Sequence, residues 1–325
     1  MSRPALDRRA LGRELTRLAN ASAQALLAGV APVASAPPGP DSPPEGEPAA
    51  RARRIGLTGA PGAGKSTLGG RLALHRARAG ACRVGVLAVD PSSPHTGGAI
   101  LGDRIRMDEL PGSAEIYIRS VGSRSSSDGL SDNLPEMLEL LDAHGFDEVL
   151  LETVGVGQAE HAARVQVDTL VLVLLPDSGD AVQAMKAGIM ELADLYVVNK
   201  ADLPGAQRMA ADVQRVTTLS RSAPGAWQPP VLLTSSQHGN SIAALSEAID
   251  AHARWLQANG DSHELLLRRA RYRLGRMLER LLAEQVRALD ASTLRAPLAE
   301  QVRTVLARLE SSDALRAPQA GPCTP

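Results

Sequence analysis

The sequence predicts a doubly wound α/β domain on a mostly parallel sheet, with an N-terminal helical segment before it and a C-terminal helical arm after it. Three observations carry this prediction. Short apolar runs recur through the middle of the chain, and many are continuous rather than alternating, as parallel strands covered on both faces require. Segments with helical spacing separate most of them. Each motif with chemical potential follows the end of such a run, where open α/β sheets bind their ligands.

The runs are IGLT (55–58), VGVLAV (84–89), EIYI (115–118), EVLLE (148–152), TLVLVLL (169–175), LYVV (195–198) and VLLT (231–234). Ahead of them, ALDRRALGRELTRLANASAQALL (5–27) has helical spacing, with Leu11, Leu15 and Leu18 on one face and Arg and Glu opposite. APVASAPPGPDSPPEGEPAA (31–50) is too rich in Pro, Gly and small residues to bury a core and reads as a flexible linker. At the other end, SHELLLRRARYRLGRMLERLLAEQVRAL (262–289) forms a long helical pattern. Leu267, Ala270, Leu274, Leu278 and Leu281 trace a stripe on it, opposite many arginines. Such a helix either packs on its own domain or pairs with a second subunit. A further amphipathic segment runs to about residue 309, before a Pro-rich end expected to fray. The expected division is an N-terminal helical segment (1–30), the linker (31–50), the α/β domain (51–258) and a C-terminal extension (259–325).

Composition narrows the function classes. The chain has 325 residues, 44% hydrophobic and 22% charged, which suits a globular protein of one large domain with appendages or of two domains. A formal net charge of −1 gives no whole-chain field for nucleic acid, and 2% aromatics leave little for stacking on bases. Cys82 and Cys323 form no ligand cluster and fit a reducing compartment. No apolar stretch reaches the roughly 18 residues that span a bilayer. The Arg-rich N-terminus has no apolar signal core and carries Asp7 and Glu14. A cytoplasmic protein without membrane or nucleic-acid partners is expected.

GAPGAGKST (59–67) follows the first run of the domain and opens a helical pattern. It fits the phosphate-loop pattern GxxxxGK[ST] with Gly59, Gly64, Lys65 and Ser66. The loop, from Gly59 through Ala60, Pro61, Gly62, Ala63 and Gly64 to Thr67, lets backbone N–H groups curl around phosphate oxygens. Lys65 supplies charge to the β- and γ-phosphates, Ser66 offers a hydroxyl to Mg²⁺, and the helix behind points its positive end at the same anion. This predicts a P-loop nucleoside triphosphatase.

NKAD (199–202) follows LYVV. In the pattern NKxD, Asp202 accepts two hydrogen bonds from the N1–H and exocyclic amine of guanine. Adenine offers neither, and each buried group left unpaired costs about 1–3 kcal/mol. Asn199 would brace the loop and Lys200 would cover a ring face. Thr234, Ser235 and Ser236, which end the next run, are where a further base-contacting loop belongs. The expected ligands are GTP and GDP.

For the metal, Mg²⁺ keeps several waters and few protein ligands, so Ser66 with one or two of Asp90, Asp103 and Glu152 suffices. Asp90 and Glu152 sit at strand ends; Asp103 lies in a Gly-rich loop of the kind that can move when a γ-phosphate is present. Simpler roles fit too: Asp90 before Pro91 as a turn initiator, Asp103 as a solvated acid, Glu152 as a strand-end cap. Glu152 can hold Mg²⁺ directly or through water, or orient the attacking water. Gly155 can offer its N–H to the γ-phosphate. Val156 follows it, so the glutamine that Ras-like enzymes use to orient water is absent, and slow intrinsic turnover is expected.

GAPGAGKST, VLAVDPSSPHTGGAILGDRIRM, LLETVGVGQAE and the run from PDSGD to MKAGIMELADLYVVNKADL together resemble the methylmalonyl-CoA mutase-associated GTPase family (MeaB, formerly ArgK) of the SIMIBI class of P-loop GTPases. The resemblance includes Glu in place of the usual Asp before the TxG turn, and it extends to both helical ends. It implies a homodimeric GTPase that assists an adenosylcobalamin-dependent acyl-CoA mutase, gating cofactor loading and protecting or reactivating the mutase. It also implies that DSGDAVQAMK (177–186) responds to the mutase, with Asp180 and Lys186 able to move toward the phosphates as catalytic residues beside Lys65 and Glu152. The Pro-rich stretch and Ser236, where the family commonly has Ala, depart from the pattern. The rival readings are a nickel-delivery GTPase, which needs a Cys/His site, a GTP- or ATP-dependent kinase, and a nucleotide-switched scaffold.

Overall fold

The computed structural model describes residues 5–28, 51–80, 82–90, 115–123, 129–153, 159–176, 188–220, 225–235, 240–260 and 262–312. The linker expected at 31–50 and the candidate site residues Asp103, Gly155, Asp180, Lys186 and Ser236 lie outside them.

A seven-stranded sheet forms the centre, in the order β3-β2-β4-β1-β5-β6-β7. Its strands are β1 (Arg53–Thr58), β2 (Val84–Asp90), β3 (Ile116–Gly122), β4 (Glu148–Glu152), β5 (Thr169–Leu174), β6 (Leu195–Val198) and β7 (Val231–Leu233). Every neighbouring pair is parallel. The chain winds to one side of β1 through β4 and then to the other side from β5 onward. The loop after β1 therefore sits at the reversal, where such sheets open a ligand crevice.

The continuous apolar runs follow from layers on both faces. In β4, Val149 and Leu151 point to a core formed with α1 (Arg8–Asn20) and α4 (Leu134–Ala143). Leu150 points the other way, to a core with α3 (Lys65–Gly80) and α8 (Asn240–Asn259). Alternate residues thus serve opposite layers, and both sets must be apolar. The intervening helices are α5 (Ala159–Gln166), α6 (Ile189–Leu192) and α7 (Ala206–Ser220).

Leu11, Leu15 and Leu18 of α1 are buried, and Leu11 and Leu15 are among the largest fully buried side chains. Asp7 caps this helix through the Arg9 and Ala10 N–H groups. The helical pattern over 5–27 forms two helices, because α1 ends at Asn20 and α2 (Ala23–Leu27) restarts under the Ser22 cap. The break is fixed from outside: Asn133 donates to the Leu18 and Ala21 carbonyls, and Arg280 donates to the Ala21 carbonyl.

Beyond Gly260 the arm comprises α9 (Ser262–Arg287), α10 (Ala291–Arg295) and α11 (Leu298–Glu310). It docks on the domain with its charged side. Arg269 meets Asp168, Arg273 meets Glu136 and Glu139, Arg276 meets Asp132, and Glu284 accepts from the Ala23 N–H. Of the expected Leu stripe, Leu267, Leu274 and Leu278 are exposed, while Leu281 is buried. Among the described residues no helix is long and apolar enough to cross a membrane.

Candidate functional site

The ends of β1, β2, β4, β6 and β7 share the C-terminal edge of the sheet and bring most of the expected residues among those described together. The phosphate loop requires glycine at two close approaches. Gly59 has φ +138°, and a Cβ there would lie 2.0 Å from the Val173 carbonyl oxygen. Gly64 has φ +86°, and a Cβ would lie 2.5 Å from Asn199 Nδ2. Both positions exclude other residues on sterics as well as on backbone conformation. Lys65, the first residue of α3, is buried, and its Nζ donates to the Gly59 (2.8 Å) and Ala60 (3.1 Å) carbonyls, which holds the ammonium over the loop.

Ser66 Oγ donates to Glu152 Oε1 at 2.7 Å. Parallel pairing sets Leu57 against Glu152 and Ala88 against Glu152, so Glu152 ends its strand between the phosphate loop and the strand that carries Asp90. Ser66, Asp90 and Glu152 are all buried at this edge. The donors are a hydroxyl and carboxylates, hard oxygen ligands of the kind Mg²⁺ takes. Among the described residues no group of three or more His, Cys, Asp or Glu converges. A cation here would therefore complete its shell with phosphate and water oxygens, as Mg²⁺ does.

Asn199 joins the two halves of the site. Its Nδ2 donates to the Ala63 carbonyl at 2.8 Å, and its Oδ1 accepts from Thr234 Oγ1 at 3.0 Å. Ser235 Oγ donates to Asp202 Oδ1 at 2.6 Å, and the Ala201 N–H donates to the Thr234 carbonyl. Lys200 has φ +54°, an uncommon backbone for a residue with a side chain, and its Nζ reaches the Gly62 carbonyl at 3.2 Å. The cleft beside this assembly is lined by Gly64, Thr67, Leu68, Arg71, Asn199, Lys200, Thr234, Ser235 and Ile242. A flat ring entering it meets apolar Leu68 and Ile242 and the polar base-reading loop.

A family model described as methylmalonyl Co-A mutase-associated GTPase MeaB matches residues 46–291. The chain belongs to the MeaB family. It is a GTPase. A Pyrococcus horikoshii relative is 41% identical over 236 residues, 72% of this chain and 74% of its own length. The mouse mitochondrial methylmalonic aciduria type A homolog is 37% identical over 214 residues, 64% of this chain and 51% of its own length. A crystal structure of a LAO/AO transport system kinase shares the fold, with a TM-score of 0.53 at 23% identity over 95% of this chain and 100% of that one.

Within this MeaB-family site, sequence reasoning missed five participants. Leu68, Arg71 and Ile242 line the cleft from helical positions outside the motifs. Thr58 and Thr153 are buried and joined, Thr153 Oγ1 donating to Thr58 Oγ1 at 3.0 Å. Only the β1–β4 register brings them together, and nothing in their spacing announces it.

Proposed function

We propose that the chain hydrolyses GTP to GDP and phosphate as a chaperone of an adenosylcobalamin-dependent acyl-CoA mutase. Methylmalonyl-CoA mutase is the default client; the chaperone gates cofactor loading and protects or reactivates the enzyme. The Asn199 bridge carries the nucleotide part, because it ties the phosphate loop to the base-reading loop in one rigid unit. The family description and the mouse relative support the mutase part.

In this reading Asp202, held by Ser235, accepts from guanine, and Lys200 and Asn199 flank the ring. Lys65 turns from the loop carbonyls to the β- and γ-phosphates. Ser66, Asp90 and Glu152, with Asp103 from outside the described residues, would hold Mg²⁺, which when bound draws charge from the phosphate oxygens. Glu152 also orients the attacking water, and Gly155 donates to the γ-phosphate. Positioning and charge supply the rate. The 177–186 segment, with Asp180 and Lys186, completes the site when the mutase binds. The exposed leucines of α9 pair with those of a second copy, giving a homodimer.

GTP turnover measured with and without saturating mutase tests the proposal. Stimulation by the mutase is expected, and unchanged turnover would overturn the chaperone reading while leaving the GTPase intact. In competition, ATP should displace bound GDP far less well than GTP does; equal displacement would overturn the reading of Asp202.

A further inference from the structure

α3 and α8 each start at the nucleotide edge of the sheet, and each gives the cleft one apolar side chain, Leu68 and Ile242. Behind these the two helices meet along matched stripes with a spacing of four. On α3 the stripe is Leu68, Leu72 and Arg76; on α8 it is Ile242, Ser246 and Asp250. Leu68 and Leu72 are buried in one apolar cluster with Ile242, Leu245 and Ile249. At Arg76 the contact turns polar, eight residues and so about 12 Å behind Leu68.

Arg76 is buried and makes five hydrogen bonds, as many as a guanidinium has N–H groups. Nε and Nη2 take the two oxygens of Glu148 at the start of β4, the Nη2 bond being 2.6 Å long. Nη2 also donates to Asp250 Oδ1 at 2.8 Å. Nη1 donates to Ser246 Oγ at 2.7 Å and to the Ser246 carbonyl at 3.3 Å. Arg53 of β1 donates to Glu148 and Asp250 as well. One guanidinium thus joins α3, α8 and the sheet, and nothing in the proposed chemistry uses it. Buried ion clusters add little stability, because desolvation offsets much of the attraction; their best-attested use is to fix one register. Apolar packing is non-directional and by itself would let α8 slide on α3. Directed bonds to Glu148, Ser246 and Asp250 prevent that.

We propose that Arg76 is a positioning residue for guanine recognition, an inference that rests on the GTP reading of the cleft: by locking α8 onto α3 and β4 it sets the gap between Leu68 and Ile242 that the base enters. Arg76 touches no part of the nucleotide. The phosphate loop has its own anchors in Gly59, Lys65 and Asn199, so loosening α8 changes the base side of the cleft and leaves the phosphate side in place.

The test compares wild type, Arg76→Lys and Ser246→Ala in the full chain, well below their melting temperatures. Arg76→Lys keeps a cation against Glu148 but lacks the planar fork that reaches three partners. Ser246→Ala removes only the Oγ acceptor and leaves the ion pairs. Calorimetry gives the affinities for GDP and for inorganic pyrophosphate, which fills the phosphate loop without a base, and steady-state GTP hydrolysis gives KM and kcat. GDP affinity should fall about five- to thirtyfold in Arg76→Lys and about threefold in Ser246→Ala. KM should rise in step, with kcat and pyrophosphate affinity held within about twofold, as expected when uniform binding is lost. A merely structural role would lower the melting temperature and leave the ratio of GDP to pyrophosphate affinity at its wild-type value. That ratio unchanged in both variants overturns the inference, as does equal weakening of both ligands. If Arg76→Lys does not fold, the ratio in Ser246→Ala decides alone. A wild-type chain that binds GDP no better than pyrophosphate overturns the base-site reading, and this inference with it.

Discussion

In the sheet, Leu150 faces one helical layer while Val149 and Leu151 face the other, and no exposure is left. In α9 the sides are reversed: Arg269, Arg273, Arg276 and Arg280 turn toward the chain's own domain, and Leu274 and Leu278 stay outside at 62% and 49% exposure. The arginines recur every three or four residues and so share one face of the helix. The difference separates two uses of apolar surface. The sheet buries it to fold the domain, and keeps buried polar groups such as Lys65, Asp90 and Glu152 for the site at its edge. The arm ion-pairs with the domain through its arginines and leaves Leu274 and Leu278 exposed, a side that the proposed homodimer would cover.

The largest effect should come from removing charge at the sheet edge. Lys65→Ala is expected to cut GTP turnover by at least about a hundredfold, the scale for losing one preorganised group at a developing charge. Size-exclusion behaviour should not change, because the arm is remote from the loop in sequence and fold. A variant that also changed oligomeric state would break the separation drawn above.

Truncating leucines comes next. Leu57→Ala, in the sheet core, should lower stability by about 2–5 kcal/mol in chemical denaturation. Leu278→Ala should change it by no more than about 0.5 kcal/mol at concentrations where the chain is monomeric, and should instead weaken self-association in sedimentation. Equal losses would mean that the arm's leucines act as core. A smaller effect is expected at the base. Asp202→Asn should weaken GTP by about 1–3 kcal/mol and leave ATP almost unchanged, read by competition binding.

The parts legible in sequence were those fixed by local pattern. The seven strands showed because both-face burial makes runs such as VGVLAV continuous, and GAPGAGKST and NKAD showed because phosphate and guanine demand those residues at those spacings. Long-range pairing was not legible. The end of α1 depends on Asn133 and Arg280, far along the chain, so the 5–27 pattern did not show where the helix breaks. Thr58 and Thr153 meet only through strand register. The Leu stripe on α9 was visible, but which side docks was decided by acids on other elements, Asp132, Glu136, Glu139 and Asp168.

Salt gives the smallest effect and the most direct probe of that docking. The Arg273 side chain is 40% exposed and its partner Glu139 44%, whereas Arg269 and Asp168 are 11% and 21% exposed. Exposed pairs contribute about 0.2–1 kcal/mol and are screened within about 10 Å at 0.1 M salt, while enclosed pairs are screened much less. Hydrogen exchange at rising salt should therefore loosen α9 by at most about fivefold around Arg273, less around Arg269, and not at all in β4 or β5. The direction matters more than the size. Apolar burial strengthens or holds as salt rises, so an arm docked through Leu281 and Tyr272 rather than through its arginines would keep or gain protection. Protection that falls first where the ion pairs are most exposed is the pattern that only a charge-held arm produces.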